Sequence, residues 1–182
     1  ALVSLNPDPN HGSDTAIDST PLDGARSQLA QSFDARDGGF GSAPKFPHPT
    51  NLEFLLRHWA ATRDQGNPDQ QALHMAVFSL ERMILGGVND QLGGGFCRYS
   101  VDVQWMIPHF EKMLYDNGPL LALCCDAWQA TDRPLFRRAA EQTADWVMRE
   151  MQSPEGGYYS SLDADSEGFA LLAARVKPSV VA

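Results

Sequence analysis

Apolar residues recur at helical spacing in five stretches of the 182-residue chain, and polar segments rich in glycine and proline separate them. A repeat of three or four residues marks the buried face of an amphipathic helix, whereas a strand would show strict alternation. No alternating run of useful length appears outside the loops. The pattern predicts an all-α protein with helices at about 21–35, 50–64, 69–85, 119–130 and 134–151.

Two shorter features lie between the third and fourth helices. HFEKMLYD, which starts at His109, predicts two helical turns that end before Pro119, because proline lacks an amide hydrogen and clashes with the preceding turn. GFCRYSVD, residues 95–102, predicts one strand of a small hairpin, with VQWMI, residues 103–107, as the other.

The connections between the helices alternate in length. Long loops follow the first, third and fifth helices, and each carries two glycines followed by an aromatic residue, namely Phe40, Phe96 and Tyr158. These phrases recur about 56 and 62 residues apart, the length of one helical hairpin with its loop. Consecutive connections of an antiparallel array lie at opposite ends, so the three long loops are predicted to share one end and to form one functional face.

Composition narrows the function classes. The net charge is −9 and no basic run occurs, which argues against a nucleic-acid or anionic-membrane surface. No apolar run approaches the roughly 20 residues of a membrane span, and residues 1–19 predict a flexible arm without a signal peptide. Three cysteines predict reduced core thiols and a cytoplasmic location: Cys97, Cys124 and Cys125.

The first candidate for chemistry is WMIPHFEKMLYDN, residues 105–117. His109 and Glu111 stand at a predicted helix start, and a histidine beside a carboxylate is suited to general acid–base catalysis. Lys112 and Asp116 are spaced to pair with each other along a helix. The alternative is a capped helix start with a structural ladder of salt bridges.

The second candidate is LDADSEG, residues 162–168, which begins like a calcium-binding loop. Counted from Asp163, the twelfth position is Ala174, where an EF-hand needs a bidentate glutamate, so that assignment fails. Three interpretations stay open for Asp163 and Asp165. They are a looser ion site, acids for sugar hydroxyls or proton transfer, and a solvated cap of a following helix.

A third group shares the predicted long-loop face. Mixed charges and flat aromatic rings at a concave end are typical of a pocket for a small polar ligand, because a ring stacks on a sugar while carboxylates bind its hydroxyls. The members are Asp37, Lys45, Asp90, Arg98, Asp102 and Trp105. Motifs for a nucleophilic serine, a redox cysteine pair, a Walker loop or a zinc protease are absent from the sequence.

Four motifs occur in one order: GGFGSAPKFPHP, DQLGGGFCRYSVD, W…PHFEKMLYDN and GGYYSSLDADSEG. This order and spacing resemble the YyaL-type, spermatogenesis-associated thioredoxin-like proteins over roughly residues 20–168. The resemblance implies part of an (α/α)6 toroid, similar to N-acylglucosamine 2-epimerases and six-hairpin glycosidases. It implies a domain at 20–168, preceded by the arm at 1–19 and followed by an atypical tail at 169–182.

Two departures from that family bear on activity. The thioredoxin-like domain that the family carries is absent, and FALLAARVKPSVVA does not continue the family pattern, so we expect a truncated, frame-shifted or naturally partial chain. An incomplete ring should leave apolar flanks on its first and last helices. A homodimer, or the tail folding back, is expected to cover them.

The resemblance favours a carbohydrate-active or sugar-binding domain whose ligand is a small polar molecule, with no cofactor and no metal. The expected acid–base residues are His109, Glu111, Asp163 and Asp165. The expected substrate-binding residues are Asp37, Lys45, Phe46, Arg98, Asp102, Trp105 and Asp116. The alternative is a non-catalytic interaction module that serves a thioredoxin-like domain, and a metal-assisted hydrolase using the acids at 163–167 is less favoured.

Overall fold

The structure, a computed structural model, describes residues 18–164. The arm at 1–17, Asp165 and the tail at 169–182 lie outside the described residues. Within them the predicted all-α class is confirmed, and the five helices lie close to their expected positions. They are α1 (Thr20–Ser32), α2 (Pro49–Asp64), α3 (Gln70–Leu85), α4 (Leu114–Thr131) and α5 (Pro134–Trp146), which continues as a π-helical turn (Val147–Met151).

Local chemistry accounts for most of the helix starts. Prolines occupy the first turns of α1, α2 and α5, where a missing amide hydrogen costs nothing. Asp69 caps α3 by accepting a hydrogen bond from the Ala72 amide. These signals explain why the starts were predictable from the sequence.

The prediction of helical turns from His109 is wrong. Residues 108–113 are extended and form two short strands, β2 (Pro108–His109) and β3 (Lys112–Met113). β2 pairs with β1 (Tyr99–Ser100), and β3 pairs with β4 (Ser161–Leu162). Backbone partners from two distant segments outweigh the local helical pattern. The predicted hairpin is confirmed, although its second strand lies just beyond VQWMI.

The interruption at Pro119 is also wrong, since α4 runs through this residue without a break. Pro119 is the sixth residue of α4, so it removes only one early intrahelical hydrogen bond. Leu120, Leu123 and Cys124 are buried along the same helix. We infer that the packing of this apolar face offsets the loss.

The helices form two rows. α2 packs against α4 in one row, while α3 packs against both α1 and α5 in the other, and the pairs α2–α3 and α4–α5 join the rows. This alternation is an arc of an α/α toroid. Between the rows lies a core of fully buried side chains: Leu52, Leu55, Met75, Leu80, Met83, Leu120, Leu123 and Phe136.

The three long connections meet at one end of the array, as predicted. We call them loop 1 (33–48), loop 2 (86–113) and loop 3 (152–162). Lys45 of loop 1 exchanges two backbone hydrogen bonds of 2.8 Å with Ser100 of loop 2. The β3–β4 pair joins loop 2 to loop 3. The loops therefore form one connected surface, called here the long-loop face.

Among residues 18–164, no helix combines the length and the apolar character that crossing a bilayer requires. The three cysteines are free thiols, and Cys97 and Cys124 are buried. Burial raises the pKa of Cys97 to about 11 and that of Cys124 to about 12. Both therefore behave as core thiols.

Candidate functional site

The Gly-Gly-aromatic phrases of loops 1 and 2 build the same structure twice. In loop 1 the ammonium of Lys45 donates to Asp34 Oδ2 at 2.5 Å and to the Gly38 carbonyl at 2.8 Å. A buried lysine is stable only with such partners, because desolvation of an unpaired ammonium costs several kcal/mol. We call this arrangement the lysine anchor.

Loop 2 repeats the lysine anchor with nearly identical geometry. Lys112 Nζ donates to Asp90 Oδ2 at 2.7 Å and to the Gly94 carbonyl at 2.8 Å. The carbonyl lies four residues after the aspartate in both loops. Loop 3 has a related turn that is one residue shorter, with Ser153 in place of the aspartate and its amide donating to the Gly157 carbonyl at 2.8 Å.

A tryptophan packs beneath each lysine anchor. Lys45 Nζ lies 5.6 Å from the ring centre of Trp105, and Lys112 Nζ lies 5.2 Å from that of Trp146. The second glycine of each phrase, Gly39 or Gly95, has φ of +77°, and a Cβ there would approach the indole to 2.5 or 2.6 Å. Glycine is therefore required twice over, by backbone conformation and by space.

The lysine anchors use up several residues that were expected to bind ligand. Trp105 is completely buried, and its indole N–H donates to the Asp37 carbonyl at 2.9 Å. The Lys45 side chain is also fully buried. Asp37 is buried and pairs with Arg82 at 3.2 Å. In this structure these three residues support the loops and do not face a ligand, which corrects their assignment as substrate contacts.

Asp102 also serves the local structure. Its carboxylate accepts hydrogen bonds from the backbone amides of Gln104, Met106 and Ile107 at 2.8 to 3.1 Å. These bonds hold the pKa of Asp102 below its usual value despite the opposing effect of burial. Asp102 therefore fixes the tip of the β1–β2 hairpin, and its expected role as a substrate contact has no support in the geometry.

Three aromatic rings form a stack at the base of the same hairpin. The Tyr99 ring lies 4.8 Å from Phe46 and 4.6 Å from His109, centre to centre, and is inclined by only 13° to the imidazole. Phe46 keeps 37% of its surface exposed. His109 Nδ1 is buried, and no group among residues 18–164 hydrogen-bonds it.

A charged cluster is formed by residues that neighbour Tyr99 and His109 along the chain. The Arg98 amide donates to the Glu111 carbonyl at 2.7 Å, and their side chains form an ion pair at 3.3 Å with about a third and a quarter of their surfaces exposed. The Arg98 guanidinium also lies 5.8 Å from the Tyr115 ring centre. Burial raises the pKa of Asp116; the Arg98 charge opposes this effect and the Glu111 charge adds to it.

Comparison of loops 1 and 2 distinguishes the residues that form the lysine anchor from the nearby carboxylates that could act on a ligand. When Lys45 is aligned with Lys112, the positions that match Glu111 and Asp116 are both prolines. Loop 1 therefore has the lysine anchor without these carboxylates. The cluster of Arg98, Glu111 and Asp116 is therefore additional to the lysine anchor.

Asp163 lies at the margin of this cluster. Leu162 pairs with Lys112 in the antiparallel register, so the next step along the two segments places Asp163 opposite Glu111. Asp165 is outside the described part of the chain. Between residues 18 and 164, no three His, Cys, Asp or Glu side chains are grouped so that they could hold a metal ion.

A concavity lies between the C-terminal halves of α2 and α4, away from the long-loop face. Its volume is about 350 Å³, and it contains no histidine. Its lining is Leu56, Arg57, Trp59, Ala60, Arg63, Asp126, Gln129 and Ala130.

Sequence reasoning missed two parts of the site. Tyr99, the middle ring of the stack, was not singled out, and Lys112 was assigned to a salt-bridge ladder at a helix start. A signal for the lysine anchors was present, because DARDGGF and DQLGGGF share an aspartate four residues before the paired glycines. No comparable signal marked Tyr99, whose neighbours come from loop 1 and β2.

No protein-family model matches the chain. Spermatogenesis-associated protein 20 is 44% identical to it in Rattus norvegicus and 42% in Homo sapiens, over 142 residues in each case. These alignments cover 76% of the chain but only 18% of each relative. The chain thus spans less than a fifth of the length of the curated relatives it matches.

Two solved structures with a similar fold are named as sugar epimerases. A sugar epimerase from a ruminal bacterium matches with a TM-score of 0.60 at 15% identity, over 79% of this chain and 40% of the epimerase. Cellobiose 2-epimerase from Bacillus thermoamylovorans matches with a TM-score of 0.60 at 16% identity, over 81% and 42%. At such identities the likeness shows the fold alone, an arc of an epimerase-like toroid.

Proposed function

Because this chain is homologous to a segment of spermatogenesis-associated protein 20 and folds as an arc of an α/α toroid, we propose that its long-loop face binds a small sugar. The observation that carries the proposal is the charged cluster of Arg98, Glu111 and Asp116, on the long-loop face that also carries the stack of Phe46, Tyr99 and His109. Aromatic rings offer apolar faces to the C–H groups of a sugar, and charged side chains bind its hydroxyls.

The chemistry proposed for this cluster is proton transfer at a carbon next to a sugar carbonyl. His109 Nε2 would remove the proton, and Glu111 or Asp116 would return one from another direction. Arg98 would stabilise the negative charge that develops on the carbonyl oxygen. Burial raises the pKa of Asp116, which is the direction expected for a general acid.

The solved neighbours named as sugar epimerases support this reaction class over glycoside hydrolysis. Asp163 and Asp165 remain proposed as additional acid or hydroxyl-binding groups. A cytoplasmic location is part of the proposal, since free thiols are typical of reducing compartments.

Calorimetric titration of the chain with D-glucose and with D-mannose, which differ only at C2, tests the binding. We expect saturable binding that weakens at least about tenfold in Glu111→Gln, the loss of one charge-assisted hydrogen bond. Glu141→Gln is the matched control, because Glu141 forms an exposed ion pair with Arg137 on α5. The absence of binding, or equal affinity in Glu111→Gln, would refute the proposal.

Incubation of either sugar with the chain in D₂O tests the reaction. Deuterium should enter at C2 only if the chain catalyses the proton transfer. His109→Asn should abolish this uptake. Binding without deuterium uptake would show that the chain binds sugar but does not catalyse the proposed proton transfer.

A second function is favoured by the extent of internal pairing. Lys45, Asp37, Trp105 and Lys112 are all buried against partners of their own chain. Such a face suits a rigid interaction module. In that case Glu111→Gln should lower the melting temperature while the chain binds neither sugar.

A further inference from the structure

The concavity between α2 and α4, called here the α2–α4 concavity, has the size of a small-molecule site. Its volume of about 350 Å³ lies within the range of pockets that hold small ligands. Its apolar atoms come from Leu56, Trp59, Ala60 and Ala130. The Trp59 Nε1 atom is buried and has no hydrogen-bond partner in the described part of the chain. The indole therefore presents carbon atoms, and not its N–H group, to a ligand.

The charged groups around the α2–α4 concavity leave one negative charge without a partner. Arg57 pairs with Glu53 at 2.6 Å, and Arg63 pairs with Asp64 at 2.9 Å. Both arginines are thus neutralised by carboxylates of their own helix. Asp126 also lines the concavity, and it forms no ion pair with any group that the structure describes.

The ends of the two helices add to this negative charge. The lining includes Arg63 and Ala130, which lie in the last turns of α2 and α4. The C-terminal end of a helix carries a partial negative charge of about half an elementary charge. Because two such ends and the Asp126 carboxylate meet at the concavity, the electrostatic field there favours a positively charged ligand.

The Trp59 ring is a surface to which a cation binds. The Arg63 guanidinium lies 5.0 Å from the ring centre of Trp59. Tryptophan attracts a cation over its ring more strongly than tyrosine or phenylalanine does. The site thus already accommodates a flat guanidinium at this ring. Arg63 can move aside for a ligand, since its side chain keeps 53% of its surface exposed.

We propose that the α2–α4 concavity binds a small organic cation, namely a guanidinium or an amidinium attached to an apolar group. In this arrangement the cationic head is recognised by Asp126 and the Trp59 ring, and the apolar group contacts Leu56, Ala60 and Ala130. A neutral ligand of the same shape lacks the attraction to Asp126 and to the helix ends. This binding is independent of sugar binding at the long-loop face.

NMR titration of isotope-labelled protein with benzamidine, which is an amidinium at neutral pH, tests the inference. The Trp59 indole signal should shift in a saturable manner at millimolar concentrations. Benzamide, a neutral molecule of the same shape, should bind at least about fivefold more weakly. Asp126→Asn should weaken benzamidine binding by about fivefold, the upper end of the range for an exposed charge pair. Arg63→Gln should bind benzamidine at least as tightly as the parent protein, because it removes a competing cation from the ring.

Asp145→Asn is the matched control, because Asp145 is an exposed aspartate of α5 that does not line the concavity and has no ionic partner among the described residues. It removes the same charge from a chain of net charge −9 and should leave the affinity for benzamidine unchanged. An equal loss of affinity in Asp145→Asn and Asp126→Asn would attribute the binding to net charge and overturn the inference. Equal affinity for benzamide, weaker binding in Arg63→Gln, or the absence of a Trp59 shift would overturn it as well.

Discussion

Replacing Lys112 with methionine should lower the free energy of unfolding by about 3 kcal/mol. Methionine keeps the apolar stem beside Trp146 but removes the ammonium that bonds Asp90 and the Gly94 carbonyl. Burial disfavours the charged form of Asp90, yet hydrogen bonds from Lys112 and the Gly93 amide hold the pKa of that carboxyl below its usual value. Without Lys112, the carboxylate loses its ionic partner.

The expected loss in the free energy of unfolding depends on how exposed the Asp90 side chain is. Removing one partner of a buried ion pair costs about 3–5 kcal/mol, and the low end applies because the Asp90 side chain keeps 35% of its surface exposed. Lys45→Met should cost a similar amount, since the two lysine anchors have the same geometry. Arg137→Met breaks an exposed ion pair, with side chains 58% and 57% accessible, and should cost under about 0.5 kcal/mol.

Urea unfolding followed by tryptophan fluorescence measures these differences. The double variant Lys112→Met/Asp90→Asn should recover part of the loss, because it removes the unpaired charge and keeps an acceptor for the loop amides. If Lys112→Met unfolds within 0.5 kcal/mol of the parent protein, the lysine anchors do not stabilise the loops. No recovery in the double variant would show that the charge of Asp90 is not the cause.

Three further predictions concern the backbone, acid stability and assembly. Gly95→Ala should lower the free energy of unfolding by more than about 2 kcal/mol, because Gly95 has a positive φ and lies close to the Trp146 indole. Gly24→Ala, in the open part of α1, should raise it by up to about 1 kcal/mol. Urea unfolding of both variants measures these differences. The hydrogen bond from Arg26 lowers the pKa of Asp69 to about 2, so roughly 2 kcal/mol of stability present above pH 4 should disappear as the pH falls towards 2. Asp69→Asn should flatten that dependence in unfolding curves measured at each pH. Finally, the chain should sediment as a homodimer at micromolar concentration, and a constant monomer mass would refute that proposal.

The helices were predictable because their signals are local. Prolines at helix starts, the cap at Asp69 and the apolar stripes all lie within one or two turns of what they specify. The alternation of long and short connections then correctly placed the three loops at one end. These features need no knowledge of distant partners.

The failures lie where distant segments decide the outcome. Residues 108–113 carry a helical pattern but pair with residues 99–100 and 161–162. The local sequence pattern does not reveal those partners. Trp105 is an aromatic residue in a loop that also carries residues of both charges. This pattern is equally typical of a ligand-binding site and of a buried side chain that supports the loop. Only the glycines beneath its ring distinguish the two, and their contacts appear only in three dimensions.

The central claim is that the long-loop face beside His109 binds a sugar, and an NMR titration tests it most directly. D-glucose added to isotope-labelled protein should shift the ring signals of His109 and Tyr99 in a saturable manner and should leave the Trp59 indole signal of the α2–α4 concavity unchanged. Saturable shifts confined to Trp59, or no shifts at either place, would contradict the claim.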